Sequence, residues 1–259
     1  MGFDNSWKVK TYSLTDQGTR EYQQDAAKVV TYGTFTMAVI CDGMGGMNHG
    51  EIASTQTIQN IFEDLDKAWP IYDIPEFLKK EALSMDHHVC MLKDVQNQSL
   101  NSGSTIVSAV VKDGDLYWMA VGDSRLYILR DKQLTPITKD HNYKNFLNEK
   151  LKKGEIDMDF YNSEIKKGES LTSYLGMGNI SLIERNRRAL HLESGDILLL
   201  CSDGLYKTLT EEQIEAVVNE SGGNISIAGD RLIKTAHRFG KTGQDNTTVI
   251  LLKVSADNR

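Results

Sequence analysis

Residues 39–46 read VICDGMGG and residues 198–205 read LLLCSDGL. Each is an apolar run, strand-like in composition, that stops on an aspartate followed by glycine. A buried strand that ends in a carboxylate places that charge on the rim of a sheet, and the adjacent glycine lets backbone approach closely. Two more acids share the position, Asp25 before the strand-like AAKVVTY and Asp245 in GQDNTTV before the last apolar run. Strand ends on one rim can converge. Four carboxylates about 4 Å apart would repel by roughly 4 kcal/mol per pair at an effective dielectric near 20, so protons or divalent cations must offset them. An all-carboxylate oxygen site favours hard ions such as Mg²⁺ or Mn²⁺ over Zn²⁺. Taken singly, each Asp-Gly is ordinary turn chemistry, and at Asp113-Gly114 a hairpin turn explains the pair fully.

The rest of the chain supplies a sheet for those rims. AAKVVTY and TFTMAVIC flank Gly33 as a hairpin. Asn48 with Glu51 resembles a capping box, and Ile58, Ile61, Phe62 and Leu65 recur at helical spacing. A second helix is expected over 75–95, on a stripe of Leu78, Ala82, Met85, Val89 and Leu92. STIVSAVV, DLYWMAV and SRLYILR then read as an antiparallel meander. Residues 141–170 are polar and charged, with Phe146, Leu147, Leu151, Ile156 and Phe160 scattered through them, which predicts an amphipathic insert lying over the body. Strands return at ALHL and DILLLCS, two helices follow near 210–239, and NTTVILLKV closes as a strand. No repeat or linker divides the 259 residues, so one domain is expected.

Composition narrows the partners. The formal net charge of −7 and the lack of a long basic cluster argue against nucleic acid. No stretch approaches the roughly 20 apolar residues of a membrane span, and MGFDNSWKVK lacks a signal-peptide core, so no membrane association and a cytoplasmic location are expected. Cys41, Cys90 and Cys201 make no disulfide framework. HHVC at 87–90 lies in a helical pattern without the second ligand pair of a zinc site, so it is not read as a metal cluster.

The motifs GTREYQQD, CDGMGG, GSTIVSAVV, VGDSR, SDGL and GQDNTTV stand in the order found in the metal-dependent protein phosphatases, the type 2C or PPM class. From about residue 9 to residue 254 the chain resembles a bacterial-type catalytic domain of that family. The resemblance implies an α+β fold, a central sandwich of two antiparallel sheets flanked by helices in four layers. It implies one catalytic domain over 1–259 with a flap-like insert at about 141–175. The implied reaction is hydrolysis of phosphoserine and phosphothreonine in proteins, by direct attack of a water bridging two Mg²⁺ or Mn²⁺ ions. Carried over by position, Asp42, Asp203 and Asp245 hold one ion, and Asp42 with the Gly43 carbonyl holds the second. Asp25 binds the waters of these ions, Arg20 grips the substrate phosphate, and Asp123 of GDSR helps hold a third ion. Gln24 and Asn246 stand behind the ligands. Phosphorylated proteins, a partner Ser/Thr kinase among them, are the implied substrates.

Two departures stand out. Where many relatives carry a histidine proposed to protonate the leaving oxygen, this chain has Met44, which has no proton to donate. Gln23 and Gln24 replace the Asn and Glu commonly found there, which removes a charge beside the second ion. Two other classes compete with an active protein phosphatase. One is a catalytically weak relative that binds phosphoproteins or acts as a sensor, although no metal aspartate is missing. The other is a metal phosphohydrolase of small molecules. GMGG is no nucleotide loop, because neither a Gly-Lys-Ser/Thr ending nor Rossmann glycine spacing follows.

Overall fold

The computed structural model describes residues 6–45 and 49–257. Along the chain come β1 (Ser6–Asp16), β2 (Asp25–Tyr32), β3 (Phe35–Met44), α1 (His49–Ala68), α2 (Ile74–Cys90) and β4 (Gly103–Ser104). They are followed by β5 (Ile106–Lys112), β6 (Asp115–Val121), β7 (Arg125–Arg130), β8 (Gln133–Pro136), α3 (Tyr143–Lys152) and α4 (Met158–Glu164). The last part holds β9 (Glu184–Arg185), β10 (Leu190–His191), β11 (Ile197–Cys201), α5 (Asp203–Tyr206), α6 (Glu211–Glu220), α7 (Ile225–Gly240) and β12 (Thr247–Asp257).

The strands form two antiparallel sheets, one ordered β1-β12-β11-β7-β8 and the other β10-β6-β5-β3-β2, with β4 on β3 and β9 on β6. Period-2 alternation sorts their side chains. Met37, Val39 and Cys41 of β3 face outward onto Ile61, Phe62 and Leu65 of α1 and Leu78 and Met85 of α2. Ala38 and Ile40 face inward onto Leu198 and Leu200 of β11 and Ile250 and Leu252 of β12. On the far side, Leu199, Cys201 and Leu251 pack under Ile214 and Val218 of α6 and Leu232 and Ile233 of α7. The layers are therefore helix, sheet, sheet, helix, the architecture expected from the motifs.

Local chemistry sets the helix ends. Asp73 caps α2 through the Glu76 amide, Thr210 and Gln213 form a reciprocal capping box on α6, and Asn224 caps α7. Asn48 of the Asn48–Glu51 box, together with Gly46 of GMGG, lies outside the described residues, whereas Glu51 falls in the first turn of α1.

Four expectations need correction. Helix α2 stops at Cys90 and not near residue 95: the chain turns back through the Lys93↔Ser99 bridge, leaving Val95 fully exposed while Leu92 still packs on the core. Residues 6–16 form a full edge strand on β12, an element the reading of the motifs omits. In the 141–170 segment only Leu147 of the five apolar positions is buried, and Phe146 and Phe160 are exposed, so the segment touches the body less than an amphipathic cover does. The meander is broken. β6 belongs to one sheet and β7 to the other, and the chain crosses between them at Gly122–Ser124. Gly122 makes the crossing with φ of +107°, and a Cβ there would lie 2.7 Å from Thr105 Cβ, so only glycine fits the turn.

Candidate active site

Strand parity carries Asp25 and Asp42 to the same place. They are direct partners in the β2–β3 register, both on the inner face, where the inter-sheet core gives out. Asp25 starts β2, whereas β3 runs two residues past Asp42 to Met44. From the opposite sheet, Asp203 opens α5 directly after β11, and Asp245 precedes β12 by two residues. Asp123 sits buried in the crossing between the sheets. The acids thus reach one end of the sandwich from both sheets.

Glycines make that convergence sterically possible. A Cβ on Gly204 would lie 2.1 Å from the Asn246 carbonyl oxygen, so its absence lets α5 sit against the turn carrying Asp245. A Cβ on Gly18 would lie 2.4 Å from the Asp245 carbonyl oxygen. A Cβ on Gly50, in the first turn of α1, would fall 2.8 Å from both the Gly43 oxygen and the Gln24 side-chain amide. Gly43, Gln24 and the start of α1 are therefore in close contact.

A second set of residues orients the acids. The Asp42 amide donates to Thr105 Oγ1 at 3.0 Å, and the Asp42 carbonyl accepts from the Thr105 amide at 2.8 Å. Thr105 Oγ1 shares a 2.7 Å hydrogen bond with the Ser124 hydroxyl, next to Asp123. Ser202 Oγ donates to Asp25 Oδ2 at 2.6 Å and accepts from the Thr248 amide. Asn246 binds the 17–24 loop: its side-chain amide donates to the carbonyls of Gln17 and Tyr22 and accepts from the Gln24 amide. The Gln23 side chain accepts from the Asp25 amide. Thr105, Ser124, Ser202 and Thr248 lie within the motifs but gain no role from them, because a hydroxyl beside an aspartate has no distinctive spacing. Their signal is parity, since Ser202 and Thr248 continue the inward-facing series of β11 and β12.

Electrostatics register the crowding. Burial, and then the charges of Asp25, Asp203, Asp123 and Asp245, hold the Asp42 carboxyl well above its usual range. Asp25 is pushed up to about 7, first by burial and further by Asp203 and Asp245, against hydrogen bonds from Ser202 and Thr248. Asp123 rises to about 6, through burial and then Asp203, with Lys207 opposing. Two cations stand among these acids. Arg20 Nη2 lies 2.6 Å from Asp245 Oδ2, and Lys207 Nζ lies 2.7 Å from Asp203 Oδ2 and 3.5 Å from Asp123 Oδ2. Among the described residues no three carboxylates yet close around a common point. The donor set nevertheless suits divalent ions: it consists of hard oxygens, and Asp25 Oδ1 is buried without a hydrogen-bond partner, an orphan that a cation or its water satisfies.

Met44 lies half-buried in the last pair of β3, opposite Gly103 of β4. His87, His88 and Cys90 are exposed on α2.

A two-sheet sandwich with acids from both sheets meeting at one end is the frame of a metal-dependent hydrolase, and comparison with known proteins narrows it. The model of the family "Protein phosphatase 2C" matches residues 17–228, and the chain belongs to that family. It is similar to the protein phosphatase PhpP of Streptococcus pneumoniae, 28% identical over 259 residues covering 95% of this chain and 97% of the other. Among solved structures, the Mycobacterium tuberculosis serine/threonine phosphatase PstP/Ppp superposes with a TM-score of 0.75 at 26% identity, over 95% of this chain and 99% of that one. The catalytic domain of PstP in complex with two manganese ions gives 0.75 at 25% identity, covering 96% and 99%.

Proposed function

We propose that this chain is a metal-dependent protein serine/threonine phosphatase that removes phosphate from phosphoserine and phosphothreonine in proteins. The observation that carries the reading is the facing pair Asp25 and Asp42 at the end of the sandwich, with one buried carboxylate oxygen left unpartnered. Asp42, Asp203, Asp245 and the Gly43 carbonyl would hold two divalent ions, Mn²⁺ or Mg²⁺, with Asp42 serving both, and Asp25 would bind their waters. Bound there, the ions supply the Lewis acidity that acidifies a water and offsets the charge on the phosphoryl oxygens.

The chain's own groups do the rest. Ser202 keeps Asp25 turned toward the site, and Thr105 fixes the backbone of Asp42, so the carboxylates need little reorganisation when loaded. Arg20 exchanges its surface ion pair with Asp245, a contact of small net worth, for a bidentate grip on the phosphate. Gln24 and Asn246 hold the loop that presents Arg20. Asp123 faces Asp203 across Lys207, at the place where the family resemblance puts a third ion. Residues 141–175 act as a flap beside the site, part of a single catalytic domain that acts in cytoplasmic signalling opposite a Ser/Thr kinase. No helix among the described residues is long and apolar enough to cross a membrane.

The test is phosphate release from a phosphothreonine peptide, a nucleotide and an aryl phosphate, with Mn²⁺ and with excess chelator. Mn²⁺-dependent release from the peptide is expected. Hydrolysis of the nucleotide alone would overturn the protein-phosphatase reading, and chelator-resistant hydrolysis would overturn the metal reading.

A further inference from the structure

Lys207 lies four residues after Asp203, one helical turn on, and its ammonium points back into the candidate site. It contacts Asp203 Oδ2 at 2.7 Å, Asp123 Oδ2 at 3.5 Å and Glu169 Oε2 at 3.6 Å. Asp203 follows β11, Asp123 sits in the crossing between the two sheets, and Glu169 comes from the 141–175 segment. The side chain of Asp123 is 6% exposed and that of Asp203 18%, so neither charge is well compensated by water.

We propose that the Lys207 ammonium is a built-in cation that occupies the place between Asp123 and Asp203 where a third divalent ion would bind, and ties that place to the 141–175 segment through Glu169. The inference rests on the metal-dependent reading above and concerns only the ion count. A divalent ion held by Asp123 needs an oxygen at about 2.0 to 2.6 Å. The ammonium already stands 3.5 Å from Asp123 Oδ2, so an ion on either oxygen of that carboxylate would meet the ammonium at close range and be repelled. Asp203 can still serve a core ion, because a carboxylate has two acceptor oxygens and the lysine contact is to Oδ2. Two ions and one lysine thus replace three ions. The charge on Asp123 is offset permanently and not by whatever metal is at hand.

The experiment counts Mn²⁺ per chain by calorimetry and by equilibrium dialysis with elemental analysis, in the wild type, Lys207→Met and Lys207→Met/Asp123→Asn. The expected counts are two, three and two. Lys207→Arg, which keeps the charge, should stay at two. Three ions in the wild type, two in Lys207→Met, or a third ion that survives in the double variant would each overturn the proposal. If Lys207→Met fails to fold by circular dichroism, Lys207→Gln takes its place with the same expectation. A wild-type chain that binds no Mn²⁺ would instead overturn the metal reading on which the proposal rests, so the two failures are distinguishable.

Discussion

At the scale of single residues, the acids are an electrostatic liability until something neutralises them. The pKa of Asp25 lies near 7 in the folded chain against an ordinary 3.8, chiefly through burial. The folded state therefore holds a proton on Asp25 between about pH 4 and pH 7 that the unfolded chain releases. Without metal, stability should fall as pH rises through that window. Melting followed from pH 5 to pH 8 in chelator should show this decline, Asp25→Asn should lessen it, with Asp42 and Asp123 supplying the remainder, and saturating Mn²⁺ should reverse it. A melting point that climbs with pH in chelator would contradict the assignment. By the same reasoning, Asp203→Ala or Asp42→Ala should abolish phosphatase activity while leaving the metal-free fold at least as stable. Met44 raises a different question. A positioned general acid is worth about 10²- to 10⁴-fold, most for a poor leaving group. Met44→His should therefore raise kcat for a phosphoserine peptide more than for p-nitrophenyl phosphate. Equal changes for both substrates across pH would show that the site does not lack an acid.

At the scale of elements, close contacts without side chains decide where the acids point. Helix α5 is four residues long and contributes little by itself. Its orientation comes from Gly204 lying against the 245–247 turn and from the Gln244 amide, which donates to the Gly204 carbonyl at 2.9 Å. Gly204→Ala places a methyl 2.1 Å from a backbone oxygen, an overlap that no rotamer change relieves. It should cost on the order of 1–3 kcal/mol and separate Asp203 from Asp245. Reduced Mn²⁺ affinity together with a lower melting point is expected; a variant with normal affinity would show that α5 tolerates the shift. Asn246→Ala removes three hydrogen bonds to one loop, at about 1 kcal/mol each. It should raise KM through Arg20 more than it lowers kcat.

At the scale of the whole molecule, the two sheets share one inner core, and the site lies where that core ends. Leu198, Leu200, Ile250 and Leu252 from one sheet interleave with Ala38, Ile40, Val107 and Ala109 from the other. Neither sheet should melt alone, so unfolding should be one cooperative transition. An ion bound only by the folded state at about 100 times its dissociation constant adds about 2.7 kcal/mol. For a chain this long that corresponds to roughly 5–10 °C in Tm. Scanning calorimetry with Mn²⁺ and with chelator checks both statements: two resolved transitions would argue against the shared core, and an unchanged Tm would argue against ion binding to the folded form.

Much of this was legible in residue order. Period-2 runs marked most of the strands, and the 3.6-residue stripes marked α1 and α2. The acids at strand ends followed from apolar runs that stop on Asp-Gly. Parity puts Asp42 on the same face as Ile40 and Ala38, because alternation is a local property of extended backbone; that this face is the inner one was decided by tertiary packing, since Met37, Val39 and Cys41 on the other face are equally apolar and buried. What could not be read this way depends on which strand lies beside which. SRLYILR has the same alternation whether it continues the first sheet or crosses to the second, and only the packing of Gly122 against Thr105 decides that it crosses. The contacts of Lys207 have the same origin: Asp203 is one turn away along the helix, but Asp123 and Glu169 are 84 and 38 residues away along the chain. Their charges meet because two sheets and a connecting segment close on one end of a shared core, and no local pattern encodes that closure.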